Sequence, residues 1–189
     1  MRMTRIEKRF VNEIEHSRRV AEEAVRRLRH LPVHRSWSYL DVGCGNGAAA
    51  LLVADTFGVR AVGVDVDPEQ IALARTAARD RTDVLFSTAD ATCLPFEDGR
   101  FDVVATNKTT HHLTRWSLAL AEMRRVLKPH GYFVYADLKA PSWLAWVLKS
   151  VAGHAGVFTG ADLDRFFASL QPVHRRTGWL HYEAIFQKP

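Results

Sequence analysis

Asp41 and Asp65 are the first residues in this chain with the type and spacing to do chemistry, because each closes a short apolar run and a glycine cluster lies between them. In YLDVGCGNGAAA, residues 39–50, Gly43, Gly45 and Gly47 take three of five positions. Glycine costs conformational entropy wherever it sits, so the cluster implies a tight turn or a close approach of something to the backbone. Asp65 follows Gly47 by eighteen residues, near the spacing of a carboxylate that grips ribose hydroxyls. In DVDPEQ, Asp67 before Pro68 is the better helix cap, which leaves Asp65 to a ligand. Cys44, inside the turn with no base in view, reads as a small space-filler and not a nucleophile. His111 and His112 are the candidates for taking a proton from a hydroxyl or enol, since histidine titrates near neutrality. Adjacent residues share no helical face, so they make a poor metal pair, and no metal site is expected.

The elements that must position these residues alternate along the chain. Runs rich in β-formers appear at 38–42, 60–66, 83–88, 101–106 and 131–137, with helical patterns clearest at 46–57, 68–79 and 116–127. Apolar strands alternating with helices predict an α/β doubly wound, mostly parallel sheet with helices on both faces. Residues 88–101, with Pro95 and EDG, read as a loop. Beyond 138 the pattern changes to a short apolar segment (141–153), a helix over 159–170 and two closing strands within 174–188. Thr159 with Asp162 three residues on gives that helix a capping box with a shorter acid. The turn therefore follows a strand and opens a helix, where a doubly wound sheet binds its ligand.

Dinucleotide sites use G-x-G-x-x-G, whereas Gly43, Gly45 and Gly47 are spaced G-x-G-x-G and position 48 is Ala. DVGCGNG and GVDVDPEQIALAR together resemble the class I S-adenosylmethionine-dependent methyltransferases. The resemblance runs on through TADATCLPFEDGRFDVV, HHL and ALAEMRRVLKPHGYFVYADL, covers about residues 38–138, and is nearest to the small-molecule branch related to quinone-biosynthesis methylases. It implies a seven-stranded, Rossmann-like methyltransferase fold with an antiparallel last strand, and S-adenosyl-L-methionine as cofactor, leaving as S-adenosyl-L-homocysteine. It further implies that Asp41, Gly43, Cys44, Gly45 and Gly47 shape the bed for the methionine and sugar. By the same resemblance Asp65 takes the ribose hydroxyls, Val66 packs on adenine, Asp90 and Ala91 contact the adenine edge, and Asn107 ends the fourth strand beside the methyl group. Methyl transfer is an in-line displacement, so positioning supplies much of the catalysis.

The chain has 189 residues, enough for one core, with the apolar and charged fractions of an ordinary globular protein. Two cysteines without CxxC spacing predict a reducing, cytoplasmic setting. No secretory signal is visible, and no run reaches the roughly 18 apolar residues of a membrane span. Residues 1–35 hold ten of the 26 Lys and Arg but only five of the 21 acids, so the whole formal charge of +5 sits there. Ile6, Phe10, Ile14, Ala21, Ala24, Leu28 and Leu31 recur at helical spacing in that segment, which predicts a helical unit docked on the 36–189 domain. A basic arm reaching nucleic acid is the rival account. NKTT at 107–110 is not the N-P-P-[YFW] pattern of methylases acting on bases or glutamine amides. The apolar 139–158 segment, with Trp143 and Trp146, reads as a substrate lid, a membrane-surface helix or a plain cover of the sheet. These observations predict a methyltransferase for a small, partly apolar or aromatic acceptor. The alternatives are an RNA methyltransferase using the basic arm, or a nicotinamide-dependent oxidoreductase.

Overall fold

The computed structural model of the chain describes residues 14–141, 143, 145 and 157–189. The described elements run α1 (Ile14–Leu28), β1 (Ser38–Val42), α2 (Ala48–Phe57), β2 (Arg60–Asp65), α3 (Pro68–Ala78), β3 (Val84–Thr88) and β4 (Phe101–Asn107). A single 3-10 turn at Thr110–His112 leads to α4 (Trp116–Val126), β5 (Leu127–Leu138), α5 (Gly160–Phe167), β6 (Gln171–Thr177) and β7 (His181–Gln187). The seven strands form one sheet in the order β3-β2-β1-β4-β5-β7-β6. Strands β1 to β5 pair in parallel, and β7 runs antiparallel to both β5 and β6. The strand order reverses between β1 and β4, so the loops after these two strands open a crevice at the carboxyl edge.

Side chains alternate across the strands, as a period of two requires. Tyr39, Val103, Ala105 and Val134 face α1, α2 and α3, while Leu40, Val104, Phe133 and Tyr135 face α4 and α5. On the second face Phe167 of α5 stacks on Phe186 at 4.5 Å between ring centroids. Local chemistry fixes the helix ends that matter for the site. Asp67 caps α3 by accepting from the Glu69 N–H at 2.9 Å, with Pro68 in the first turn. Thr159 and Asp162 cap α5 reciprocally, the capping box the sequence predicts. Ala21, Ala24 and Leu28 are the buried face of α1, and Leu31 is buried just after it. Ile6, Phe10 and the Ile14 side chain lie outside the described residues.

Two boundaries differ from the sequence expectation. β5 begins at Leu127, directly after α4, four residues ahead of the expected run at 131–137. A register shift between Phe101 and Val103, with His130 in the left-handed region (φ 61°), absorbs the irregularity inside the strand. β6 begins at Gln171, three residues ahead of the predicted pair. Of the predicted lid, Trp143 is exposed and Ala145 is buried, and Phe158 packs on Trp116 at 5.1 Å; positions 142, 144 and 146–156 lie outside the described residues. Among the described residues no helix is long and apolar enough to cross a membrane.

The basic helix α1 turns part of its charge inward. Arg27, 5% exposed, donates from Nε to Glu183 Oε2 of β7 at 2.8 Å and from a terminal nitrogen to Glu23 at 3.1 Å. Removing one partner of such a pair leaves a desolvated charge behind. Arg27→Ala is therefore expected to lower stability by about 3 kcal/mol in urea unfolding; a loss near zero would mean that water already screens the pair.

Candidate functional site

The glycine turn is pinned to its neighbours by its own backbone. The N–H groups of Gly43 and Cys44 both donate to the Val64 carbonyl, at 2.8 and 3.0 Å. The Gly45 N–H donates to Asp65 Oδ2 at 2.9 Å, and Asp65 Oδ1 accepts from the Asp67 N–H at 3.0 Å. A carboxylate offers about four lone-pair sites, so these two bonds leave Asp65 able to accept from a ligand as well. The glycines answer to the protein's own packing. Gly43 has φ 78°, and a Cβ there would overlap the Thr109 side chain; at Gly47 (φ 81°) a Cβ would lie 2.5 Å from Phe86 Cζ and 2.9 Å from Ala74 Cβ. Both positions are strained for any other residue.

Behind the turn, Asp41 is buried, and its carboxyl is pushed up to about 7 by burial and then by the neighbouring charge of Asp65. The same burial and the same two acids raise the Cys44 thiol well above its usual range, which suits packing and not nucleophilic attack. Asp41, Asp65, Gly43, Cys44, Gly45 and Val66 line a cleft of about 150 Å³. Helix α1 roofs it with His16, Ser17 and Val20, and Asn46 Nδ2 donates to Ser17 Oγ at 2.9 Å.

The opposite wall comes from the end of β4. Asn107 lines the cleft, and its buried amide nitrogen and oxygen have no hydrogen-bond partner among the described residues. Lys108 follows in the left-handed region (φ 53°), held there by its N–H donating to the Ala136 carbonyl at 2.8 Å. His111 then meets the end of β5. Its Nδ1 lies 2.5 Å from Asp137 Oδ1, while Asp137 Oδ2 accepts from the Thr110 N–H at 2.7 Å and the Thr110 hydroxyl at 2.5 Å. The side chain of Asp137 is fully buried, so the proton is best placed on Nδ1 and Nε2 is left as the acceptor. Tyr135 meets the Thr110 hydroxyl at 2.7 Å; burial and Asp137 push its phenol far up. The rings of His111 and His112 lie 3.9 Å apart, and it is His112 that lines the cleft.

The structure thus gathers Asp41, Gly43, Cys44, Gly45, Asp65, Val66, Asn107 and His112 around one cleft. Gly47 stands behind the turn against Phe86. Asp90 and Ala91 are not in the cleft lining: Asp90 is exposed and accepts from the Thr92 N–H and hydroxyl, both at 2.8 Å, bonds that hold its carboxyl below the usual range. His111 stands beside the cleft on Asp137. Sequence reasoning missed Asp137, Lys108 and the α1 residues of the roof. For Asp137 the available signal was an acid ending an apolar strand, YAD, in the manner of Asp41 and Asp65.

Such a crevice at a strand-order reversal, floored by two acids and a glycine turn, defines a doubly wound domain for a ligand carrying positive charge and hydroxyl donors. Residues 40–135 match the family described as "Methyltransferase domain", and the chain belongs to it, among the class I S-adenosylmethionine-dependent methyltransferases. It is 37% identical over 163 residues to 27-O-demethylrifamycin SV methyltransferase of Amycolatopsis mediterranei, covering 79% of this chain and 60% of that one. It is 38% identical over 104 residues to demethylmenaquinone methyltransferase of Thermus thermophilus, covering 54% and 47%. The PH0226 protein of Pyrococcus horikoshii has the same fold, with a TM-score of 0.76 and 24% identity over 95% of this chain and 93% of that one. The chain spans between about a third and three-fifths of the length of the curated relatives it matches. The cofactor of this family is S-adenosylmethionine, and the acid-floored cleft fits its sulfonium, ammonium and ribose hydroxyls.

Asp41 gives this fit a measurable sign. Its carboxyl keeps a proton up to about pH 7 and must lose it to meet a cation, so binding releases a proton below that pH. Calorimetric affinity for S-adenosylmethionine is expected to rise about eightfold from about pH 6 to about pH 7.5, and Asp41→Asn is expected to flatten that rise.

Proposed function

We propose that this domain transfers the methyl group of S-adenosylmethionine to a hydroxyl of a small, partly apolar or aromatic acceptor, with His111 as general base. The observation that carries this reading is the His111–Asp137 contact at 2.5 Å beside the cofactor cleft. The bound cofactor supplies a methyl group already activated by its sulfonium. His111 Nε2 takes the proton as the acceptor oxygen attacks. Asp137 keeps the ring in the Nδ1–H tautomer and balances the imidazolium that forms, and Thr110 holds Asp137 in turn. Asn107, which lines the cleft with both buried amide groups unpaired among the described residues, is in this reading the residue that aligns acceptor and methyl group. His112, in the cleft lining, serves cofactor contact in this reading and leaves proton transfer to its neighbour.

The names of the relatives support small acceptors, since one acts on a rifamycin and another on demethylmenaquinone. The nucleic-acid reading loses support because α1 spends Arg27 on ion pairs with Glu23 and Glu183. Screening small phenols, quinols and hydroxy acids for release of S-adenosylhomocysteine tests the proposal. With an acceptor in hand, His111→Ala is expected to lower kcat by about 100-fold or more, with cofactor affinity unchanged. Asp137→Asn should lower kcat and also shift the pH profile. Retention of full kcat by His111→Ala would remove the base from the mechanism.

A further inference from the structure

A second cavity, of about 490 Å³, opens on the other side of Asn107 and Lys108. Helix α1, the ends of β4 and β5, and the β6–β7 hairpin enclose it. Its acids are already engaged. Glu183 accepts from Arg27 at 2.8 Å and lies 3.6 Å from Arg26; Glu23 pairs with Arg27 at 3.1 Å; Asp137 is taken by Thr110 and His111. Its remaining cations are not. Lys108 and Arg176 line the cavity and make no ion pair with any described residue. Arg176 reaches the site because β6 pairs with β7 in a register that sets it opposite Glu183, at the carboxyl edge of the sheet. Lys108 is held in left-handed backbone, a conformation that costs free energy and persists only where its surroundings impose it. Between the cleft and this cavity stands the unpartnered amide of Asn107.

Two cations and an amide that have no partner among the described residues, set in a concave site, are matched by an anion with several acceptor oxygens. We propose that this cavity binds a carboxylate or phosphate carried by the methyl acceptor, gripped by the guanidinium fork of Arg176 and the ammonium of Lys108. The acceptor is then an anion at one end, with its reacting hydroxyl at the seam beside Asn107. This rests on the methyltransferase reading above and names the substrate class for it. Arg suits planar acceptor groups because its donors match two oxygens at once.

The carboxylate of the cofactor itself is the other source of such an anion, and the test separates the two. The full chain, with and without saturating S-adenosylhomocysteine, is titrated with benzoate, phenyl phosphate and the neutral benzyl alcohol. The proposal expects both anions to bind about tenfold or more tighter than the alcohol, and Arg176→Ala to abolish that preference while Arg176→Lys keeps part of it. Affinity for S-adenosylhomocysteine should be unchanged in Arg176→Ala. Equal binding of anion and alcohol, or no effect of Arg176→Ala, overturns the proposal. Weakened S-adenosylhomocysteine binding in Arg176→Ala also overturns it, by assigning the cation to the cofactor. Anion selectivity in a protein that does not bind S-adenosylhomocysteine would keep the subsite and sink the methyltransferase reading.

Discussion

Two carboxylates set close together at the carboxyl ends of adjacent strands repel one another, and the rest of the site is arranged around that repulsion. Asp41 is buried and Asp65 sits on the neighbouring strand, so burial first, and then the Asp65 charge, hold the Asp41 proton on to about pH 7. Among the described residues neither acid has a cation as a hydrogen-bond partner, and Asp65 accepts from two backbone N–H groups of its own loops. A cationic ligand relieves the repulsion, and the crevice is shaped to admit one. The turn that frames it lies between Thr109 and Phe86 so closely that Gly43 and Gly47 have no room for a side chain. Rigidity here matters because displacement at a saturated carbon gains most from fixed alignment.

The other end of the crevice obeys a different rule: a buried acid that is fully satisfied. Asp137 collects hydrogen bonds from Thr110, His111 and Leu138, so its charge costs little and its position is fixed. That fixed charge orients His111. The site thus joins a floor of two acids to a wall that already has its donors. Between them, Asn107 and Lys108 belong to both cavities and are the residues through which cofactor and acceptor would be aligned.

What was legible in the sequence was local. The glycine turn, the Asp67 cap before Pro68 and the Thr159–Asp162 box are each decided within a few residues, so their chemistry is written in adjacent letters. The apolar runs gave the strand cores for the same reason. What depended on register was not legible. Asn107 pairs with Ala136, and that single alignment places Asp137 beside Thr110, 27 positions away in sequence. Arg176 enters the second cavity only through the pairing of β6 with β7. Asp90 is a local case of another kind. Its own turn, through Thr92, satisfies the carboxylate locally and leaves it outside the cleft lining. The roof supplied by His16, Ser17 and Val20 was hidden because helical periodicity reports which face of α1 is buried, not what it covers.

The central claim is that the acid-floored crevice takes a sulfonium nucleoside and not a dinucleotide. Calorimetric titration of the purified chain with S-adenosylmethionine, S-adenosylhomocysteine and NAD tests it most directly. The account predicts micromolar binding of the first two and none of NAD. Binding of NAD alone, or of none of the three, would contradict it.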